Sequence, residues 1–535
     1  MKGCQGPKAS YTAIDSIKLT PKTRTMAEFE AESNISVTNP VRFQALNMST
    51  SSARTSSSTQ ELTGGAKLAD VTKIVESLGA DLEKISLLPH QRDTLLEKLK
   101  VYGRDPTNAD PIFTKGGIEI LSRHAFNSPS KATSRNALRC LANALLLKPD
   151  TRQTLVSLGY DAKACILLKD RAGSVDDEFL LSRIIFLTTY GTTINIENLI
   201  DQHHLADTVS HNIASHAKLH NAKQKKVKQL DPMEDMALVE SLKLLFNITH
   251  FCPQRNSSFS QALPHILSIL HKREIIPITP LDPPISQLIN TLINLPLEDP
   301  GNISVLFPKA NTHSHTEKFI ELLDRSINKY KDEELEQLVS PLLTLIRKLY
   351  EIGSSEAHQY MQSQLLPTEK DREQPVGRGE SLSARLIQQS KNPMAPQVRE
   401  SISALLFELS DKDASTFVQN VGYGFASGFL FQHNVPVPEN AFEAWSTENG
   451  NGHGKTRPSH DSGKAVNPIT GQLLEAETNI NVPEMSQAEK EREAERLFVL
   501  FERLKKNGVI TATNPMEEAL HQGRFEELED DAESD

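Results

Sequence analysis

The sequence predicts an all-α fold: an armadillo/HEAT-like helical solenoid followed by a mobile C-terminal tail that carries an amphipathic helix. Three observations predict it. Apolar residues recur at helical spacing from Leu68 to about Gln432, with few strand-like alternations. A short pattern, [LI]-x-x-L-x-N, returns inside successive apolar helices. A further helix with both ends written in, Ser486 to Gly508, stands beyond about fifty residues that lack periodicity.

In chain order, residues 1–65 are rich in Ser and Thr and end in "NMSTSSARTSSSTQELTGG", the composition of a disordered leader. The solenoid is expected over 66–432. Its clearest helix is "DEELEQLVSPLLTLIRKLYEIG", where Leu335, Leu338, Val339, Leu342, Leu345, Ile346 and Leu349 share one face. In "DPMEDMALVESLKLLFNITH" Asp231 is the expected N-cap, Pro232 the first helical residue and Glu234 the closing acid, with Leu238, Leu242, Leu245 and Phe246 as the apolar face. The repeated pattern ends at Asn143 in "LRCLAN", at Asn247 in "LKLLFN" and at Asn294 in "INTLIN". "LSRIIF" and "LLTLIR" fit loosely, with Phe186 and Arg347 in the Asn place. Spacings of roughly 40–60 residues suit armadillo/HEAT units with loop insertions.

In such arrays each repeat buries its face only against its neighbours, and the innermost helices line a concave groove. An Asn there can bind the backbone of a peptide in the groove, because its amide both donates and accepts. The same residue can instead satisfy a local carbonyl or point to water.

Residues 433–485 carry Pro, Gly, Asn and Ser throughout and read as a flexible linker. Tail helices and an acidic C-terminus fill 486–535. Ser486 and Glu489 form a capping box, and Lys505 and Lys506 suit the negative helix end before Gly508. Leu497, Leu500, Phe501 and Leu504 form a stripe, widened by Phe498. That stripe must bury itself either on the chain's own solenoid or on a partner. Asn514 and Pro515 signal a second, short helix, and seven acidic residues occupy the last ten positions.

Composition narrows the function classes. The 535 residues include 58 Lys and Arg against 69 Asp and Glu, a formal charge of −11, which argues against nucleic acid as a partner. Cys4, Cys140, Cys165 and Cys252 form no CxxC pair and suit free thiols in a reducing compartment. "MKGCQGPKAS" lacks a signal-peptide core, and no run of about 18 apolar residues is present, so a cytoplasmic protein without membrane insertion is expected.

"GNGHGKT" at Gly450–Thr456 resembles a phosphate loop, but Asn449 stands where the first Gly is required and no strand precedes it. His203, His204, His211, His216 and His220 cluster without metal-ligand spacing, and the basic run Lys223–Lys228 suits an interhelical loop. No nucleophile–base set can be assembled. The expectation is an interaction protein, not an enzyme, without cofactor or metal.

Several stretches together resemble one family, the synembryns (resistance to inhibitors of cholinesterase), of a fungal type. They are "LRCLANALLLKP", "ESLKLLFNITH", "NVGYGFASGFL", "NPITGQ" and above all "EKEREAERLFVLFERLKKNGVI", spread in family order over about Leu95 to Leu528. The resemblance implies a cytosolic exchange factor and folding chaperone for heterotrimeric G-protein α subunits. It would bind them GDP-bound or nucleotide-free, act as a monomer and reach the cell cortex only through the α subunit. It implies that the α subunit's C-terminal helix enters the groove, where Lys100 and Arg104 of "LKVYGRD" and Asn143 match the family's inner face. It also implies that the tail helix, matched from Arg492 through Arg496 to Leu504, holds the displaced nucleotide domain. Animal members carry phosphorylated Ser/Thr amid acidic residues before the "NPxTG" motif; Ser459 and Ser462 lie nearby here, but no acidic run follows them. Without the resemblance, the residues alone suit an armadillo-type peptide-binding scaffold or transport adaptor as well.

Overall fold

The computed structural model describes residues 62–223, 231–436 and 466–477 apart from 468, together with 486, 492, 495, 496 and 499. The leader up to residue 61, the basic run after Lys223, the phosphate-loop look-alike at Gly450–Thr456 and most of the tail helix lie outside the described residues.

Helices account for nearly all of the described structure. In chain order they are α1 Gly64–Lys84, α2 Pro89–Tyr102, α3 Lys115–Asn127, α4 Lys131–Leu147, α5 Tyr160–Asp170, α6 Val175–Thr188, α7 Leu205–Lys223, α8 Pro232–Phe251, α9 Leu263–Lys272, α10 Ile285–Asn294, α11 Ser314–Lys329, α12 Asp332–Ile352, α13 Ser355–Leu365, α14 Leu382–Gln389, α15 Pro396–Leu409, α16 Ala414–Val421 and α17 Tyr423–Gln432. Shorter helical turns link several of them. Among the described residues the only β pairing is a single bridge, Val466 to Leu473.

The helices stack in two rows. One row runs α2, α4, α6, α8, α10, α12, α15, each packed on the next. The second runs α3, α5, α7, α9, α11, α14 in the same way. Each second-row helix also packs on the first-row helix that follows it in sequence, giving the pairs α3–α4, α5–α6, α7–α8, α9–α10, α11–α12 and α14–α15. The core lies between the rows, with Leu138, Leu141, Ile184, Leu242, Leu288, Leu345 and Leu405 all inaccessible to solvent. A ladder of this kind gives each helix partners on both sides, so burial of apolar area accumulates along the chain.

Local chemistry sets the ends of the elements. Asp231 caps α8 by accepting from the Met233 amide, with Pro232 in the first turn. The N-terminus of α15 lacks a side-chain cap of its own, and the Glu336 carboxylate of α12 accepts from its Gln397 and Val398 amides at 2.8 and 3.1 Å. In α12 the expected apolar face is buried except for Leu338, which is half-buried. In α8 Leu238, Leu242 and Leu245 are buried, but Phe246 is only half-buried.

Candidate functional site

First-row helices run parallel. Arg135 near the start of α4 donates to Asp177 near the start of α6, while Asn143 near the end of α4 donates to the Lys100 carbonyl near the end of α2. Their C-terminal ends therefore share one edge of the ladder. This arrangement decides what the repeated Asn does.

The Asn143 Nδ2 lies 3.4 Å from the Lys100 carbonyl, and the Asn294 Nδ2 lies 3.2 Å from the Phe246 carbonyl. Each reaches back to a carbonyl in the C-terminal half of the preceding first-row helix: that of Lys100 has no amide partner inside its own helix, while that of Phe246 also accepts from the Thr249 hydroxyl at 3.0 Å. Asn247 donates to the Thr189 hydroxyl at 2.8 Å and accepts from the Tyr190 hydroxyl at 3.3 Å, just past the end of α6. It is 2% exposed. The expectation that these amides line a groove is thus corrected for Asn247, whose donor and acceptor are both engaged inside the ladder. Asn143 and Asn294 remain half-exposed, and among the described residues their Oδ1 atoms take no donor.

Arg347 is likewise engaged: it binds the Glu408 carboxylate of α15 through Nε at 3.1 Å and Nη2 at 2.6 Å. A bidentate pair of this geometry holds α12 to α15 and leaves little of the guanidinium for a partner. Its neighbour Lys348 donates to the Ile293 and Leu295 carbonyls at 3.3 and 3.1 Å, doing for α10 what Asn294 does for α8.

A half-exposed face of the first row is basic although the whole chain is acidic. Lys100 and Arg104 stand at the end of α2 and have no ion-pair partner among the described residues. Arg139 of α4 meets Asp176 at 3.4 Å. On α6 and α8, Arg183 and Lys243 share the single Glu240 carboxylate, at 3.0 and 3.1 Å. Burial alone would raise the Glu240 pKa, but the charges of Lys243 and Arg183 hold it below the ordinary carboxylate value. Two cations on one carboxylate leave a net positive charge there. Both cations also lie against aromatic rings, Arg183 at 5.8 Å from the Phe179 centroid and Lys243 at 4.7 Å from Phe186.

Aromatic rings continue toward the shared edge. Phe246 and His250 stack at 6.1 Å, His250 meets Phe251 at 5.1 Å, and Phe251 meets Tyr190 at 6.2 Å. Phe251 is 38% exposed. Sequence reasoning missed Arg183, Lys243, Lys348 and this aromatic group. The signal is in α8, where Lys243, Phe246 and His250 recur at helical spacing beside the Leu238–Leu242–Leu245 face. Such a face can hold a segment that offers a carboxylate and apolar side chains together.

Cys140, Cys165 and Cys252 are buried free thiols. Burial pushes the Cys140 thiol up to about 12 and raises the other two. His216 lies between Glu178 at 3.0 Å and Glu234 at 3.5 Å, a buried tie between α7, α6 and α8. Among the described residues no group of His, Cys, Asp and Glu is placed to hold a metal ion, and no helix is long and apolar enough to cross a membrane. Of the tail-helix residues, Arg492 and Arg496 are helical and exposed, while Leu497, Phe498, Leu500, Phe501 and Leu504 lie outside the described residues.

A two-row helical ladder with a basic, aromatic face defines a helical-repeat binding protein. The chain belongs to the Ric8 family, guanine nucleotide exchange factor synembryn, whose family profile matches residues 95–524. It is 24% identical to the chaperone Ric-8A of Macaca fascicularis over 479 residues, 83% of this chain and 86% of that one. It is 23% identical to the chaperone Ric-8A of Gallus gallus over 486 residues, 82% and 85% of the two chains. Over a shorter stretch of 211 residues it is 32% identical to a synembryn-like chaperone of Schizosaccharomyces pombe, where the match spans only 38% of this chain and 39% of the relative.

Proposed function

We propose that this chain is a guanine-nucleotide exchange factor and folding chaperone for heterotrimeric G-protein α subunits, without covalent chemistry of its own. Membership of the guanine-nucleotide-exchange family over residues 95–524 carries this reading. The two rows form an armadillo/HEAT-type solenoid whose first row lines a concave groove. The α subunit's C-terminal helix lies in that groove, its terminal carboxylate near Lys100 and Arg104 and its apolar side chains on the Phe246–Phe251 rings. Asn143 and Asn294 add amide acceptors. Residues 437–465 and 478–485 serve as linkers, and the helix beginning at Ser486 reaches the nucleotide-binding domain through Arg492, Arg496 and the Leu497–Leu504 stripe. The protein works as a cytoplasmic monomer.

The mechanism follows from linkage. A protein that binds the nucleotide-free α subunit more tightly than the GDP-bound one must accelerate GDP loss or stabilise its product. The coupling is reciprocal, so GTP must in turn expel the protein. Chaperoning is the same preference applied to a subunit that has not yet met nucleotide. The test is GDP release from purified α subunits: the chain should speed release and form a nucleotide-free complex that GTP dissolves. Unchanged release from every α subunit, with no complex in the absence of nucleotide, would sink the proposal.

A further inference from the structure

Residues 466–477 lie within the stretch that reads as linker, yet they form a compact turn seated on the end of the ladder. Asn467 organises it: its Oδ1 accepts from the Ile469 and Thr470 amides at 2.9 and 3.3 Å, and its carbonyl accepts from the Gly471 amide at 2.6 Å. Gly471 turns the chain at φ +65°, and a Cβ there would stand 2.9 Å from a Val376 methyl. Both its conformation and its packing therefore require glycine.

The turn is held from three sides. The Val376 amide donates to the Thr470 carbonyl at 2.9 Å, and the Leu473 amide donates to the Arg372 carbonyl at 2.8 Å. The Gly424 amide, in the first turn of α17, donates to the Ile469 carbonyl at 3.3 Å. The Arg372 guanidinium ties the turn to the end of α16, donating to the Gly471, Gln419 and Asn420 carbonyls at 3.0–3.3 Å. Gly422 sits at φ +80°, and a Cβ on it would lie 2.8 Å from the Ile469 carbonyl. Leu473 is 6% exposed.

We infer that this turn is a clip that re-anchors the chain and sets the reach of the tail helix, a role that rests on the α-subunit reading above. Without the clip, residues 437–485, forty-nine in all, would separate Pro436, just past the last helix, from the Ser486 cap. With it, only residues 478–485, eight in all, separate the clip from that cap. The nine steps from Glu477 to Ser486 span at most about 32 Å, so Ser486 stands within that distance of Glu477. The effective concentration of a linked second contact falls roughly as the −3/2 power of linker length, so the clip raises it about 15-fold. The number of residues between Pro436 and Val466 then has no bearing on exchange.

The test places one thirty-residue Gly/Ser insert at two positions in the full-length chain. Inserted at Gly450, between Pro436 and the clip, it should leave the affinity for the nucleotide-free α subunit within twofold of wild type. Inserted after Glu477 it should weaken that affinity about tenfold. Gly471→Val, which opens the clip, should weaken it about 15-fold and make the Gly450 insert harmful as well. Equal weakening by the two inserts, or none by the second, overturns the clip. If the wild-type chain forms no nucleotide-free complex, the α-subunit reading is what fails. Amide hydrogen exchange then decides the anchoring: protection of Gly471 and Leu473 upholds it, and exchange at the rate of a free chain removes it.

Discussion

Asn143, Asn247 and Asn294 occupy one place in a repeated pattern but differ in what surrounds them. The pattern was legible because an Asn inside an apolar helix has few uses. Its use was not legible, since the group it binds, a carbonyl for Asn143 and Asn294 and a hydroxyl for Asn247, lies 43 to 58 positions earlier. Asn247→Ala removes the hydrogen bonds to the buried Thr189 and Tyr190 hydroxyls and should cost about 1–3 kcal/mol of stability in urea unfolding. Its effect on binding of the α subunit's C-terminal peptide should be small. Charge reversal at Lys100 and Arg104 should do the opposite, weakening peptide binding at unchanged melting temperature, because both stand at the surface. Unchanged peptide affinity with an intact fold would remove these two cations from the site.

Asp177 offers a test by pH. Burial alone would raise its carboxyl, but hydrogen bonds from Arg135 and Ser174 and the charge of Arg171 hold it below the ordinary value. Because folding lowers this pKa, its contribution is present in full above the unfolded-chain value of about 3.9 and is lost as pH falls through the lower, folded one. Asp177→Asn should therefore be less stable than wild type by about 3 kcal/mol at pH 7, since two arginines lose their carboxylate. The gap should close progressively below about pH 4, as wild type protonates. A gap independent of pH would mean that shape, not charge, holds α4 to α6.

At the scale of elements, local signals are legible in the sequence and remote ones are not. The Asp231–Pro232 start of α8 lies wholly in neighbouring residues, so the sequence displays it. The cap of α15 comes from Glu336, 61 positions away, and nothing near Pro396 announces it. Glu336→Gln should keep the cap but weaken it, and Glu336→Ala should cost about 1 kcal/mol. The "NPITGQ" stretch shows the same limit. Its Pro and Gly mark a turn from sequence, but the surface that receives the turn, Val376 and Arg372, lies about 100 residues upstream. The tail helix is the reverse case, with caps and stripe complete in the sequence. Leu497→Asp with Phe501→Asp should abolish the second contact and most exchange while leaving peptide binding intact, because a charge forced into an apolar contact costs several kcal/mol as a rough scale. Retained exchange in that variant would move the helix out of the mechanism.

At the scale of the whole molecule, the fold was legible because a ladder repeats one solution: apolar faces at helical spacing, with each helix covered by its neighbours. The end of the ladder was less legible, because an end is closed by whatever chain lies near it. Sequence alone places that end at about Gln432, and a ladder complete there would make a cut after Gln432 harmless to stability. The clip alters this expectation. A chain ending after Gln432 loses the carbonyl partners of Val376 and Gly424, the Gly471 bond to Arg372 and the burial of Leu473, together worth about 2–3 kcal/mol. A chain ending after Glu477 keeps all of them. The longer truncation product should melt like the full chain and the shorter one a few degrees lower, while both bind the α-subunit peptide and neither exchanges nucleotide efficiently. Equal melting of the two would show that the turn adds nothing to the ladder. Nucleotide exchange at wild-type rate by the Glu477 product would show that the ladder alone opens the α subunit.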